Sequence, residues 1–163
     1  MGVNQRALIK MSDAEIDEFL HGRHTMSVAT MNHDGSIHVV AMWYGFLPDG
    51  SVAFETKAKS QKVQNLKRDT RLTCMVEDGV KYEELRGVEL AGTGEVIDDY
   101  DTLFALAVDL TERYYGVTYS DDMKPMVETM MNKRVVVKIN PTRVVSWDHA
   151  KLGTPVPTSQ PAS

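Results

Sequence analysis

A basic cluster in the middle of the chain contains the residue types that bind a phosphate group. Residues 54–69 read FETKAKSQKVQNLKRD and hold five of the 18 lysines and arginines of a chain whose net charge is -5. Thr56 and Ser60 place two hydroxyls among these cations. Hydroxyls, ammonium groups and the unpaired N–H groups of a helix N-terminus together bind anions. A capping serine among solvated lysines explains the same residues, and residue types alone leave both interpretations open.

Other reactive side chains form weaker patterns. His21 and His24 are three residues apart but straddle Gly22, so a shared helical face for a metal ion is not expected. Cys74 lies in the middle of a strand-like run, where a buried thiol is usually inert. Adjacent carboxylates are typical of helix starts and solvated loops. We therefore expect neither a metal site nor a nucleophilic catalyst.

Length and composition predict an ordinary globular domain. The chain has 163 residues, with 42% hydrophobic and 25% charged residues, and its pI near 5.5 argues against a general nucleic-acid binder. Its single cysteine cannot form an intrachain disulfide, and we find no signal peptide or membrane span. We expect a cytoplasmic protein with one domain over residues 1–152. The Pro- and Ser-rich tail, residues 153–163, is expected to be disordered.

The first half of the chain positions the basic cluster between strands. Ser12 and Glu15 predict a capping box for a helix over residues 11–21. Runs of β-formers separated by turn residues predict strands over 24–31, 37–46 and 51–56. A helix over 59–69 follows, so the cluster begins where the third strand ends.

The second half of the chain continues the antiparallel pattern. Strands are predicted over 71–77, 85–97, 134–140 and 142–147, with Pro141 breaking the last run. Two helices, over 101–115 and 120–132, lie between them. Six to seven antiparallel strands with peripheral helices indicate a β-dominated α+β domain. Glycine-marked bends favour a small barrel over a sandwich, and no dinucleotide or nucleoside-triphosphate motif is present.

Three motifs, in order, resemble the pyridoxamine 5′-phosphate oxidase-like split β-barrel superfamily over about residues 12–150. The second motif, LRGVELAGTGEV, resembles that family's central strand, and the third, NPTRVVSW, its closing strand. The opening strands HTMSVATMNHDGSIHVVAMWYGF resemble the actinobacterial branch that uses coenzyme F420. The first motif is carried by Phe54, Thr56, Ser60, Gln61, Lys62, Asn65 and Leu66.

The resemblance implies a homodimer that binds a flavin-type ring at the subunit interface. Four residues would hold the cofactor phosphate: Thr56, Ser60, Gln61 and Lys62. The anion-site argument adds Lys57. The strand formed by Val40, Ala41, Met42 and Trp43 would line the ring with backbone groups. The partner subunit would supply Arg86, Gly87 and Trp147.

The resemblance also implies an oxidoreductase. In true pyridoxamine phosphate oxidases a Gly-rich stretch with Arg and His follows the closing Trp, whereas here Asp-His-Ala-Lys-Leu-Gly follows Trp147. Vitamin B6 oxidation is therefore not expected. We expect a reductase that transfers a hydride between F420 and a small organic acceptor. An FMN enzyme of the same fold and a non-catalytic cofactor carrier remain alternatives.

Two features of the expected active site stay open in the sequence. A proton donor could be His24, His38 or Tyr44, and the sequence does not choose among them. Met42, Tyr44 and the helix near residues 114–115 would shape the open face of the ring. Their apolar character favours a bulky, planar acceptor.

Overall fold

The computed structural model describes residues 4–23 and 25–153, which form one curled antiparallel sheet with peripheral helices. The strand order β2-β1-β5-β6-β7-β4-β3 confirms the expected split barrel. The strands are β1 (Met26–Met31), β2 (Ile37–Met42), β3 (Gly45–Phe46), β4 (Val52–Lys57), β5 (Arg71–Asp78), β6 (Arg86–Ile97) and β7 (Arg134–Asp148). The α-helices are α1 (Gln5–Ile9), α2 (Asp13–Gly22), α3 (Gln61–Arg68), α4 (Tyr100–Tyr115) and α5 (Lys124–Met131), and short 3-10 helices cover Tyr82–Glu84, Asp121–Met123 and His149–Leu152.

Local signals in the sequence are confirmed for two helices. The N–H of Ser12 donates to the Glu15 carboxylate at 2.6 Å, and the N–H of Glu15 donates to the Ser12 hydroxyl at 3.3 Å. This is the expected capping box at the start of α2. In α4 the expected apolar stripe is buried, and it consists of Leu103, Leu106, Ala107 and Leu110.

Two expectations about the elements were wrong, and one helix was missed. The run over 37–46 is two strands, because β2 ends at Met42 and β3 begins at Gly45. Pro141 does not end a strand, and β7 runs through it. The last β4 partner along β7 is Lys138, so at Pro141 only β6 adjoins β7 and no N–H is needed on the open side. Helix α1 was not expected at all.

Two apolar layers hold the sheet in place. One fills the barrel and includes Phe54, and the other lies between the sheet and helices α4 and α5 and includes Ala53. Because strand side chains alternate between faces, Thr56 follows Phe54 on the barrel side. Glu55 follows Ala53 on the helix side. The end of β4 thus presents polar side chains to both layers. No helix in the described ranges is long and apolar enough to cross a membrane.

The bulge between β6 and β7 requires glycine at position 92. The pairing register shifts between Ala91 and Gly92, and a Cβ on Gly92 would lie 2.2 Å from the Asn140 carbonyl oxygen. We expect Gly92→Ala to lower the free energy of unfolding by about 2 kcal/mol or more, since backbone must move to relieve the clash. Urea titration of the variant measures this loss.

Gly22→Ala is the matched control for this prediction. A Cβ on Gly22 would meet no atom within 4 Å, and this glycine lies in the last position of α2. We expect no loss of stability there, because alanine is the better helix former. Equal stabilities for the two variants would contradict the steric argument.

Candidate functional site

The structure brings together the residues expected to bind a phosphate at the junction of β4 and α3. The Lys62 ammonium donates to the Thr56 hydroxyl at 3.0 Å, and the Thr56 and Ser60 hydroxyl oxygens are 3.4 Å apart. Ser60 occupies the N-cap position of α3, but its side chain makes no capping hydrogen bond. The simple cap interpretation of Ser60 therefore does not account for its hydroxyl. We call Thr56, Ser60, Gln61 and Lys62 the phosphate cradle.

Backbone donors add to the phosphate cradle. The Ser60 carbonyl accepts from the N–H groups of Val63 and Gln64, as expected for a helix start. The N–H groups of Gln61 and Lys62 have no acceptor among the described residues. The Gln61 side-chain amide donates instead to Asn65 at 2.8 Å. Gln61 therefore offers the cradle its backbone N–H, while its side chain is bound within α3.

Lys62 is a buried cation without an ion-pair partner. Lys62 is only 8% exposed. Among the described residues its ammonium contacts the Thr56 hydroxyl and no carboxylate. Burial lowers the pKa of Lys62, and the positive charge of Arg134 lowers it further. A buried ammonium is stable when an anion is near. The site therefore suits a phosphate group.

Glu55 and Arg134 lie beside the cradle and were missed in the sequence. The Arg134 guanidinium lies 3.4 Å from the Glu55 carboxylate, which is 7% exposed. The Arg134 Nε and the second Glu55 oxygen are buried without a hydrogen-bond partner among the described residues. Burial raises the pKa of Glu55, while Arg134 and Lys57 oppose that rise. Glu55 and Arg134 could have been paired only from the strand register, which aligns Lys57, two residues after Glu55, with Arg134.

Lys57 lies on the helix side of β4. Its ammonium donates to the Asn132 carbonyl at 3.1 Å, at the end of α5. Lys57 therefore lies on the same face of the sheet as Arg134, whereas Lys62 lies on the barrel side with Thr56. With Glu55 as the neighbouring anion, these three cations leave the junction with an excess of positive charge. That excess suits an anion at the junction.

Asn65 fixes α3 against the barrel. Its side-chain amide donates to the Thr30 hydroxyl at 3.0 Å and to the Asn32 side chain at 2.9 Å. Asn65 itself is fully buried. These bonds set the position of the cradle relative to β1, and His38 is the cross-strand partner of Thr30 on β2.

The strand expected to line the ring is at the edge of the sheet. β2 pairs with β1 on one side, so half of its backbone N–H and C=O groups face away from the sheet. Val40 and Met42 pack against the barrel core, and Ala41 is exposed. Trp43 stacks on Tyr114 with ring centroids 4.0 Å apart. The open backbone edge is suited to hydrogen bonds with the rim of a planar ring.

The residues expected from the partner subunit are far from the cradle within one chain. Gly87 pairs with Trp147, and a Cβ on Gly87 would lie 2.3 Å from the indole ring. Arg86 is bound to Asp78 at 2.9 Å. The cradle lies at the opposite end of β6, about 30 Å away along the strand. One chain therefore does not assemble all of the expected residues into one site.

The proton-donor candidates have different surroundings. Tyr44 is fully buried and its hydroxyl donates to the Leu20 carbonyl, so it cannot contact a ligand. Burial raises the pKa of Tyr44 to about 12. Its burial removes Tyr44 from the three proton-donor candidates, and the expectation that it shapes the open face was wrong. His38 is half-buried, and His24 lies outside the described residues.

Cys74 provides a test of the expectation that no thiol nucleophile is present. It is fully buried, and burial raises its pKa from 9.0 to about 12. A buried thiol is both protonated and inaccessible to reagents, so we expect alkylation by iodoacetamide to be much slower in the folded protein than in urea. Mass spectrometry with and without urea measures both rates. Similar rates would show that the thiol is accessible.

The chain is similar to a known protein family and to solved structures. Residues 12–148 match the family described as pyridoxamine 5′-phosphate oxidase. The structure is similar to the conserved hypothetical protein Rv2991 of Mycobacterium tuberculosis, with 48% identity, TM-score 0.89 and coverage of 94% of this chain and 95% of that one. No curated protein matches the chain. In the described part of the chain no three His, Cys, Asp or Glu side chains converge as metal ligands.

Two further structures differ in what their descriptions say they bind or do. A protein described as an F420 reductase is 26% identical, with TM-score 0.58 and coverage of 78% of this chain and 94% of that one. HutZ, the heme storage protein of Vibrio cholerae, is 13% identical, with TM-score 0.63 and coverage of 82% and 94%. The second likeness is one of fold alone.

Proposed function

The chain belongs to the pyridoxamine 5′-phosphate oxidase family, and on that basis we propose that it is an F420-dependent oxidoreductase. It would transfer a hydride between the deazaflavin and a small organic acceptor. The observation that carries the proposal is the buried Lys62 ammonium, which has no ion-pair partner among the described residues and donates to the Thr56 hydroxyl, itself 3.4 Å from the Ser60 hydroxyl. Such a group is matched by the phosphate of a cofactor.

The residues of this chain bind and orient the cofactor. The hydride chemistry belongs to the ring when it is bound, and the protein supplies position and exclusion of water. The phosphate cradle would anchor one end, through the Thr56 and Ser60 hydroxyls, the Lys62 ammonium and the backbone N–H groups at the start of α3. The exposed backbone edge of β2 would hold the ring, and the stacked Trp43 and Tyr114 would limit its movement. His38 is the remaining described candidate for a proton donor.

F420 is favoured over FMN by charge and by similarity. F420 carries a polyglutamate tail as well as a phosphate, and Lys57 and Lys59 stand exposed between Thr56 and Ser60 of the cradle, whereas Lys67 lies at the far end of α3. Arg68 is less suited, because its guanidinium is bound to the Met31 carbonyl. The F420 reductase at 26% identity supports the same choice. FMN is the alternative cofactor, since the cradle suits either phosphate.

We further propose a homodimer with one site at each end of the interface. The outer face of the sheet carries exposed apolar side chains, and we define this outer face by Ile37, Val39, Trp43, Met75 and Val145. Contiguous exposed apolar surface marks an interaction site. The strand register aligns Val39 with Ala29 and Ala41 with Ser27 across β1 and β2, so small side chains lie between the exposed apolar ones. A second copy seated there would bring its Trp147 towards the first copy's cofactor.

Titration with F420 and with FMN, side by side, tests the proposed function. We expect F420 to bind at least ten times more tightly than FMN, because the added cations favour the polyanionic tail. Reduced F420 is then supplied with a panel of planar acceptors and its oxidation is followed spectroscopically. Binding without turnover would support the carrier alternative, and tighter binding of FMN would support the flavin enzyme. Binding of neither cofactor would overturn the proposal. A cytoplasmic location stays a prediction.

A further inference from the structure

A second concave site lies at the other end of the molecule from the phosphate cradle. A cavity of about 590 Å³ forms where α1 meets the C-terminal half of β7. That volume is in the range of small-molecule sites. Its lining includes Arg6, Lys10, Val144, Val145, Trp147 and His149. In this half of β7 the pairing is with β6 alone, so the strand's other edge opens into the cavity region.

The charge in this cavity is positive and lacks a counter-ion. The side chains of Arg6 and Lys10 form no ion pair with any described residue. The one acidic lining residue, Glu89, is bound to Arg143 at 2.8 Å. An anion entering the cavity would therefore meet two cations whose charge no neighbour neutralises.

The histidine in the wall adds a third polar group. His149 Nδ1 lies 2.9 Å from the Tyr82 carbonyl oxygen, which can only accept, so Nδ1 carries the proton. The Nε2 atom is therefore the nitrogen that remains to contact a ligand. The Ser146 hydroxyl accepts from the Met11 N–H at 3.0 Å and keeps its own proton for a second bond.

The rest of the cavity wall is apolar. Val144 and Val145 are 43% and 39% exposed, and the indole of Trp147 is held in place over Gly87. Ile9 of α1 completes this wall. A wall of this kind gains free energy by covering an apolar body, at roughly 25 cal/mol for each Å² buried. The cavity thus combines an apolar surface with a pair of unneutralised cations.

We propose that this cavity binds the carboxylate of an acid with a planar, apolar body, and that such an acid is the acceptor substrate. Arg6 and Lys10 hold the carboxylate, and Trp147 and the two valines contact the body. The inference rests on the proposed function, in which Trp147 lies next to the cofactor ring of the partner subunit. A carboxylate could also come from the polyglutamate tail of the cofactor. The apolar wall favours the acceptor, since a glutamate tail has little apolar surface to bury.

Calorimetric titration with three probes tests this proposal. The probes are 2-naphthoate, the neutral 2-naphthamide, and a γ-linked diglutamate, added to the chain alone and to the chain saturated with whichever cofactor binds. We expect naphthoate to bind at least about ten times more tightly than naphthamide, because the amide can keep neutral hydrogen bonds to Arg6 and Lys10 but loses the attraction between opposite charges. In the double variant Arg6→Gln, Lys10→Gln that preference should disappear. In the control Lys67→Gln, on α3, it should persist.

Each outcome distinguishes this inference from the proposed function. Equal binding of naphthoate and naphthamide, or a preference that survives the double substitution, overturns the acid site. Tighter binding of diglutamate than of naphthoate overturns the acceptor assignment and assigns the cavity to the cofactor tail. The proposed function fails separately, when neither F420 nor FMN binds the unaltered chain. Because Arg6 and Lys10 have no ion-pair partner in the described structure, the double variant is expected to fold.

Discussion

Lys62→Met lowers the affinity for the phosphate-bearing cofactor by about 100-fold. The reason is the loss of a charge-assisted contact with the phosphate in a buried site, which contributes about 1.5–3 kcal/mol. Methionine has nearly the same length and no charge, so the packing around Thr56 changes little. The cost of burying the ammonium disappears at the same time. We therefore expect the free energy of unfolding without cofactor to stay the same or to rise.

The combination of the two measurements separates binding from folding. Cofactor titration gives the affinity and urea titration gives the stability of the same variant. Lys67→Met is the control, because Lys67 is exposed at the other end of α3 and its loss should change affinity much less. An unaltered affinity in Lys62→Met would refute the cradle. A loss of both affinity and stability would assign Lys62 to the fold instead.

Val39→Lys converts the proposed dimer into a monomer. Val39 is 61% exposed on β2 in the single chain, so the lysine is harmless there. At an interface with twofold symmetry the substitution buries two unpaired charges, each costing about 3–5 kcal/mol. We expect the dimer dissociation constant to rise at least about 100-fold, as measured by sedimentation velocity. Cofactor affinity should fall too, because Trp147 is expected to reach the site from the second copy.

Val80→Lys is the control for surface charge. Val80 is 95% exposed in the connection between β5 and β6 and is not one of the residues that define the outer face. We expect this variant to keep the oligomeric state and the cofactor affinity of the unaltered chain. The proposed interface would be contradicted if the unaltered chain is already monomeric. It would also be contradicted if the dimer tolerates lysine at position 39.

Features that depend on neighbouring residues could be predicted from the sequence. The capping box of α2, the buried stripe of α4 and the strand-to-helix junction at Ser60 all depend on contacts within a few positions of the chain. Short-range hydrogen bonds and periodic burial leave a direct trace in the order of residues. For the same reason the sequence could predict that the cradle residues between Thr56 and Lys62 form one site.

Tertiary structure alone decided which distant residues meet. Strand register places Arg134 beside Glu55 although they are far apart in the chain, and no local pattern predicts that register. The same holds for the cavity between α1 and β7, and for the burial of Tyr44. Pro141 continues β7 because its strand has no second neighbour there, which is a property of the sheet and not of the segment. These features could not be predicted from the sequence because they depend on long-range pairing, which is set by the packing of the whole barrel.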